Sequence, residues 1–381
     1  MTVGDCSSQK SVRNDARTPR GINNTHRNVQ PKVSIEYAVF SARRLYLSTG
    51  LFHPTHSSTA SSNQPGIPFA VIKMLPQRVI SNVVSLSLLA WAPVRAAQEF
   101  VTNSSAYRTL SFNSSHTDVL RVSINNPPVN LFNNYLLHDM LAFLSSLVPA
   151  NSPTPPPKVV IFSSENPDFF IMHRDVQGIV PPLEAWKLDA IHNYISITRF
   201  LQNITTTVFI AECNGRAFGA GNEVMVQMDM RFAGPKANVG FFENGLGVFP
   251  GGGGTQFLAE LVGKSRALEY ILGALQIDGQ SGADIGWFNK YFECPDSMRS
   301  YIDNLAARIA TFPNGTINAT KDGLAWRNAP ISVLEGDIAE FIRLDAMPDR
   351  APLERKLLNV TNNETNSFEL NVPDNLPKLY T

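Results

Sequence analysis

Two glutamates, Glu223 and Glu243, stand in the part of the chain richest in glycine, and together they could move one proton relay. Glu223 closes the run Phe218-Gly-Ala-Gly-Asn-Glu223, where a strand-like segment gives way to a helix-like one. Small residues at such a junction let the backbone come close to a ligand, and the unpaired N–H groups of a helix start favour an anionic oxygen. Glu243 follows twenty positions later in a turn-rich stretch. Two carboxylates that share one water can divide its chemistry: one takes a proton as general base, the other delivers a proton to carbon. Each feature alone also has a plain structural reading. A Gly-rich turn before a helix is ordinarily only a tight turn, and a Glu in a first helical turn commonly answers the helix dipole. Gly251 to Gly254 could pass for a phosphate loop, but no Lys-Ser/Thr follows it, which excludes that motif.

The elements that must hold these residues alternate in character. Leu120 to Ile124 alternates apolar and polar positions, as a strand does. Asn133 to Leu147 repeats Leu136, Leu137, Met140, Leu141 and Leu144 at helical spacing. Lys158 to Ser163 and Val208 to Cys213 are buried-strand runs, with a long helix from Glu184 to Gln202 between them. Such alternation implies an α/β domain. The prolines of Pro153 to Pro157 place that segment in a surface loop. Beyond Gly263 the pattern turns helical (Ser265 to Leu275, Gly282 to Gly286, Asp296 to Ala310), with one further helix at Val333 to Leu344 and then a polar tail.

The chain has 381 residues, 43% hydrophobic and 17% charged, enough for a large core. Its formal net charge is zero, and no basic stripe suggests nucleic acid. Cys6, Cys213 and Cys294 are spaced for neither a zinc motif nor a disulfide framework. Residues 1–73 are polar, and their composition predicts a disordered or non-native extension. An arginine bias (Arg13, Arg17, Arg20, Arg27, Arg43, Arg44) fits a mitochondrial transit segment, against which Asp5, Asp15 and Glu36 count. Residues 74–97 read as a signal peptide if Met74 is the start: one charge, an apolar run from Val79 to Ala92, then small residues. That run is too short for a stable membrane span. Sequons at Asn103, Asn113, Asn203, Asn314, Asn318, Asn359 and Asn363 agree with secretory entry; otherwise the expected compartment is mitochondrial or cytoplasmic.

The stretch from Glu212 to Leu261, ECNGRAFGAGNEVMVQMDMRFAGPKANVGFFENGLGVFPGGGGTQFLAEL, resembles the crotonase (enoyl-CoA hydratase/isomerase) superfamily. The resemblance runs from the strand at Val119, through Asn126-Pro-Pro-Val-Asn130, to about Trp326. It implies an α/β fold of the ββα spiral type, with a core at 110–300, a helical C-terminal region and tail at 301–381, and assembly into homotrimers or hexamers. It implies an acyl-CoA thioester as substrate, with coenzyme A as its carrier and neither metal nor other cofactor. The thioester oxygen would be held by the backbone N–H groups of Arg174 and Ala220. Glu223 and Glu243 would activate water for addition across the 2,3 double bond, the Gly251 N–H would position that water, and Met172, His173 and Asp175 would flank the substrate. Acyl selectivity would rest on the helix from Glu184 to Gln202. A double-bond isomerase working with one carboxylate near Glu243, and a non-catalytic or repurposed crotonase-like protein, are the alternative outcomes. One departure bears on all three. Where the family has a small, Gly-bearing segment, this chain has Phe170-Ile-Met-His-Arg-Asp175, so either the loop is remodelled, with Arg174 meeting a phosphate or carboxylate, or CoA binding is impaired.

Overall fold

Strand β3 (Val159–Ser164) is apolar along most of its length because both of its faces are covered. Side chains alternate across a strand, so Val160 and Phe162 enter one core with Leu136, Met140 and Phe143 of the helix Asn134–Ser146. Val159 and Ile161 enter another, with Met298, Ile302 and Ala306 of the helix Pro295–Ala310. β5 (Val208–Cys213) divides the same way, Phe209 into the first core and Val208 and Ile210 into the second. Helices on both faces are the usual condition for a parallel sheet.

The computed structural model describes residues 106–151, 155–176, 185–325, 328–362 and 365–381. The extension at 1–73, the apolar segment at 74–97 and the sequons at Asn103 and Asn363 lie outside the described residues. Among the described residues, the strands form two sheets. The larger runs β1-β2-β3-β5-β7-β10 and the smaller β4-β6-β8-β9. β1 (Leu110–His116) and β2 (Val119–Ile124) are an antiparallel pair, after which the larger sheet continues parallel through β7 (Met230–Ala233) to β10 (Lys290–Tyr291). β4 (Phe169–Ile171), β6 (Arg216–Phe218) and β8 (Asn238–Gly240) run parallel, and β9 (Gln276–Asp278) closes that sheet antiparallel to β8.

Three times in succession the chain places one strand in the large sheet, the next in the small sheet, and then a helix. β3 and β4 precede the helix Ala185–Asn203, β5 and β6 precede Ala220–Val226, and β7 and β8 precede Gly254–Val262. This is the expected ββα spiral with a helical C-terminal region. Successive turns pack closely. A Cβ added at Gly221, in the helix following β6, would lie 2.0 Å from the backbone oxygen of Ile171 in β4. Backbone cannot yield as a flexible side chain does. Gly221→Ala is therefore expected to cost about 1–3 kcal/mol, the range for overpacking a tight site. A lowered urea midpoint at unchanged m would show it.

Two boundaries differ from expectation. The divide at 300/301 falls inside the continuous helix Pro295–Ala310, whose apolar face belongs to the second core. The polar tail is also folded: a helix at Arg350–Thr361 follows Ile331–Asp345, and short turns continue to Leu379. Its polarity concealed this, because Arg350, Glu354, Thr361 and Glu369 are all buried. Arg350 pairs with Asp345, and with Glu354 at 2.6 Å, which lets these charges leave water together. No helix among the described residues is long and apolar enough to cross a membrane.

Candidate active site

The loops leaving the C-terminal ends of β4, β6 and β8 deliver Arg174, Ala220 and Glu243 to one cavity of about 90 Å³. Neighbouring parallel strands of one small sheet thus bring together residues distant in sequence. Glu223, Tyr194, Gly251 and Gly252 line the same cavity.

The two expected donors are placed by distinct local geometry. Phe132 N–H donates to His173 O at 2.9 Å, and Asp175 N–H donates to Phe132 O at 3.2 Å. These bonds tie down the peptides on either side of Arg174 and turn its own N–H away from Phe132. Ala220 opens the helix Ala220–Val226, so its N–H has no acceptor within the helix. The preceding Gly219 has φ +52°, a conformation that a side chain resists. A Cβ there would also lie 2.9 Å from Glu243 Oε1. Neither Arg174 N–H nor Ala220 N–H donates a backbone bond among the described residues.

Glu223, 5% exposed, is held by the glycine run. Its Oε1 accepts from Gly252 N–H at 2.8 Å and Gly254 N–H at 3.1 Å, and the Tyr194 hydroxyl lies 3.2 Å from its Oε2. Burial pushes the carboxyl up to about 7, although these three donors pull the other way. Glu243 occupies the short turn Glu243–Leu246, and its buried Oε2 has no hydrogen-bond partner among the described residues. Burial, reinforced by the charge of Glu223, holds Glu243 well above the usual carboxylate range. The pair therefore has one member rich in donors and one poor in them.

The other expected site residues fall in different places. Gly251 lines the cavity, but it is Gly252 and Gly254 whose amides grip Glu223. Met172, expected to flank the substrate, does not line the cavity: it is fully buried in an apolar cluster with Phe169, Phe218 and Leu376. Asp175 is likewise absent from the cavity wall. The Met172 N–H is bonded to Asn130 O, and its side chain joins that of Phe169 in the same apolar cluster.

His173 does reach the wall, but its ring is engaged elsewhere. Nε2 lies 2.9 Å from Glu369 Oε1, and Nδ1 lies 2.7 Å from Arg174 O. Burial alone would lower its pKa; the Glu369 carboxylate outweighs this and holds His173 above its usual 6.5. The bulk where the family has small residues therefore packs against the C-terminal tail and leaves the backbone donor clear. Glu369→Ala should cost about 3–5 kcal/mol, as breaking a buried pair does. Because the folded pKa of His173 is raised, the pair's contribution is complete below its unfolded value and is lost as pH rises through the folded one. Faster proteolysis of the tail in Glu369→Ala at pH 6, compared with the parent chain, is the expected reading.

Two contributors gave no usable sequence signal. Tyr194 sits in the helix Ala185–Asn203, and its hydroxyl is 3.0 Å from Ala220 O as well as near Glu223. Gln227 Nε2 donates to Gly252 O at 3.0 Å and to Glu223 O at 2.8 Å, tying the glycine run to the helix that carries Glu223. Both are ordinary helix residues in one dimension. From the C-terminal region come Ile338, Phe341 and Arg350, so the same chain closes one side of the cavity.

A family model described as Enoyl-CoA hydratase/isomerase matches residues 114–335, more than half of the chain. The chain belongs to that family. Among curated relatives of this enoyl-CoA hydratase/isomerase member, the mitochondrial methylglutaconyl-CoA hydratase of Mus musculus is 30% identical over 42% of this chain and 51% of its own length. The 2,3-dehydroadipyl-CoA hydratase of Escherichia coli is 34% identical over 37% of this chain and 56% of its own. The chain thus spans about half the length of these relatives. A solved Streptomyces avermitilis structure assigned to the enoyl-CoA hydratases is 28% identical, with a TM-score of 0.63 over 72% of this chain and 99% of that one.

Proposed function

We propose that this family member is a hydratase that adds water across the 2,3 double bond of an acyl-CoA thioester. The observation that carries this reading is the meeting in one cavity of two buried, unequal carboxylates and two residues whose backbone N–H groups have no backbone acceptor among the described residues. The thioester oxygen accepts from the N–H groups of Arg174 and Ala220, which favour the enolate over the ground state as negative charge develops. Glu223, steadied as an anion by three donors, takes a proton from water, and the oxygen attacks C3. Glu243, kept protonated by its donor-poor surroundings, returns a proton to C2. Environments that push two carboxyls apart are what such an assignment requires. The balance is complete with water, enoyl thioester and two carboxyls; it calls for no redox group or metal, and coenzyme A enters only as acyl carrier. The names of the mouse and Escherichia coli relatives, both hydratases, support a water-adding reaction.

Assembly as a homotrimer or hexamer belongs to the same reading; it would cover exposed apolar residues such as Leu268 and Leu272. The test is crotonyl-CoA hydration, followed as loss of thioester absorbance, alongside calorimetric titration with a saturated acyl-CoA. No turnover of any 2-enoyl-CoA together with no thioester binding would sink the proposal and favour a non-catalytic member.

A further inference from the structure

The loop after β4 offers two kinds of donor from a single residue. Among the described residues, neither the backbone N–H of Arg174 nor its guanidinium has a hydrogen-bond acceptor. Two arginines among the described residues line the cavity, Arg174 and Arg350. Arg350 is ion-paired to both Asp345 and Glu354, so these two carboxylates are already committed to it. Arg174 has no carboxylate within 4.0 Å and no side-chain hydrogen bond among the described residues.

A plainer role would be that of a distant counter-charge to Asp345 and Glu354. Those two already flank Arg350, whose like charge opposes Arg174. A partly buried guanidinium carries five donors in a planar fork, and taking them out of water unpaired is unfavourable. The fork matches a carboxylate in two parallel hydrogen bonds.

We infer that the Arg174 guanidinium binds a second negative charge on the substrate, so that the preferred thioester is a short 2-enoyl-CoA whose acyl chain ends in a carboxylate. This rests on the hydratase reading, because the N–H of the same residue fixes the thioester oxygen. From that N–H, an arginine side chain reaches about 7 Å at ordinary bond lengths. That span suits a carboxylate a few carbons from the thioester; the phosphates of CoA lie many bonds further along the pantetheine arm. Phe132, Leu137, Val176 and Phe341 also line the cavity and give it apolar surface for the intervening carbons.

The test compares binding of glutaryl-CoA and butyryl-CoA by calorimetry; both are saturated and cannot be hydrated. The parent chain should bind glutaryl-CoA roughly 10- to 100-fold more tightly, the size of a charge-assisted bidentate contact. Arg174→Met should bring the ratio near unity, while Arg174→Lys should keep part of it. The rate ratio of glutaconyl-CoA to 2-hexenoyl-CoA should move in parallel. Equal affinities in the parent chain, or a preference that survives in folded Arg174→Met, would overturn the inference and leave the hydratase reading standing. Binding of neither thioester, together with no turnover of any 2-enoyl-CoA, would overturn both. The parent ratio needs no variant, so it decides the matter even if Arg174→Met does not fold.

Discussion

Glu223→Gln and Glu243→Gln should each lower kcat for crotonyl-CoA hydration by about 10²- to 10⁴-fold, the usual worth of a positioned acid or base. Thioester affinity should change little, because the oxygen is held by backbone N–H groups that neither substitution removes. The double variant should be far less impaired than the product of the two losses, since the carboxyls act on one water as a unit. Stopped or continuous assays on all four proteins, with calorimetry for binding, give the comparison directly. The two positions also separate reaction types. An isomerase working with one carboxylate would lose activity in Glu243→Gln and keep it in Glu223→Gln. Equal loss of hydration in both supports the hydratase. Retained hydration in Glu223→Gln would remove this residue from the mechanism.

Glu223→Gln should also be more stable than the parent chain at pH 8, and the advantage should disappear near pH 4.5. The folded carboxyl is pushed from its ordinary 4.5 up to about 7 by burial. A raised folded pKa means that the native state holds its proton more tightly than the unfolded chain. Its stabilising contribution is therefore full below 4.5 and is lost as pH rises through 7. At about 1.36 kcal/mol per pKa unit, the parent chain loses on the order of 3 kcal/mol across that interval. Glutamine cannot ionise, and its carbonyl can still accept from Gly252 and Gly254. Urea unfolding of both proteins at pH 4.5, 6 and 8 reads this effect together with the relief of Glu243, which the Glu223 charge helps to hold high; groups remote from the pair cancel in the difference. A constant difference across pH would mean that Glu223 ionises as an ordinary carboxyl in the folded chain. The predicted gain in stability and the predicted loss of rate come from the same atoms, a trade common at active sites.

Much of the fold was legible because its signals are local. β5 at Val208–Cys213 and the helix start after Phe218 follow from apolar runs and glycine placement in the sequence. The glutamate pair was legible too, through the segments around it. The β4 loop was harder. Met172, His173 and Arg174 look alike as bulk in one dimension, yet one is core, one binds the tail, and one lines the cavity. What separates them is the direction of successive peptides, fixed by bonds to Asn130 and Phe132 that no spacing rule reveals. The tail escaped for a related reason. Arg350, Glu354 and Glu369 carry the composition of a solvated segment, and only their partners, Asp345 and His173 among them, make burial tolerable. Tyr194 and Gln227 show the same limit: their roles exist only once the helix Ala185–Asn203 and the glycine run meet.

The bracing of the Glu243 turn has a consequence for how the protein is made. Tyr380 Oη donates to Gly245 O at 2.9 Å, across 135 positions, and Leu376 packs where a Cβ on Gly245 would stand, 2.5 Å away. During synthesis the spiral around β3 to β8 is exposed to solvent well before residue 380 leaves the ribosome. A nascent chain can therefore have its sheets folded while the turn bearing Glu243 still lacks its support. Competence therefore waits on the segment around Leu376 and Tyr380, which braces the turn only once it has emerged.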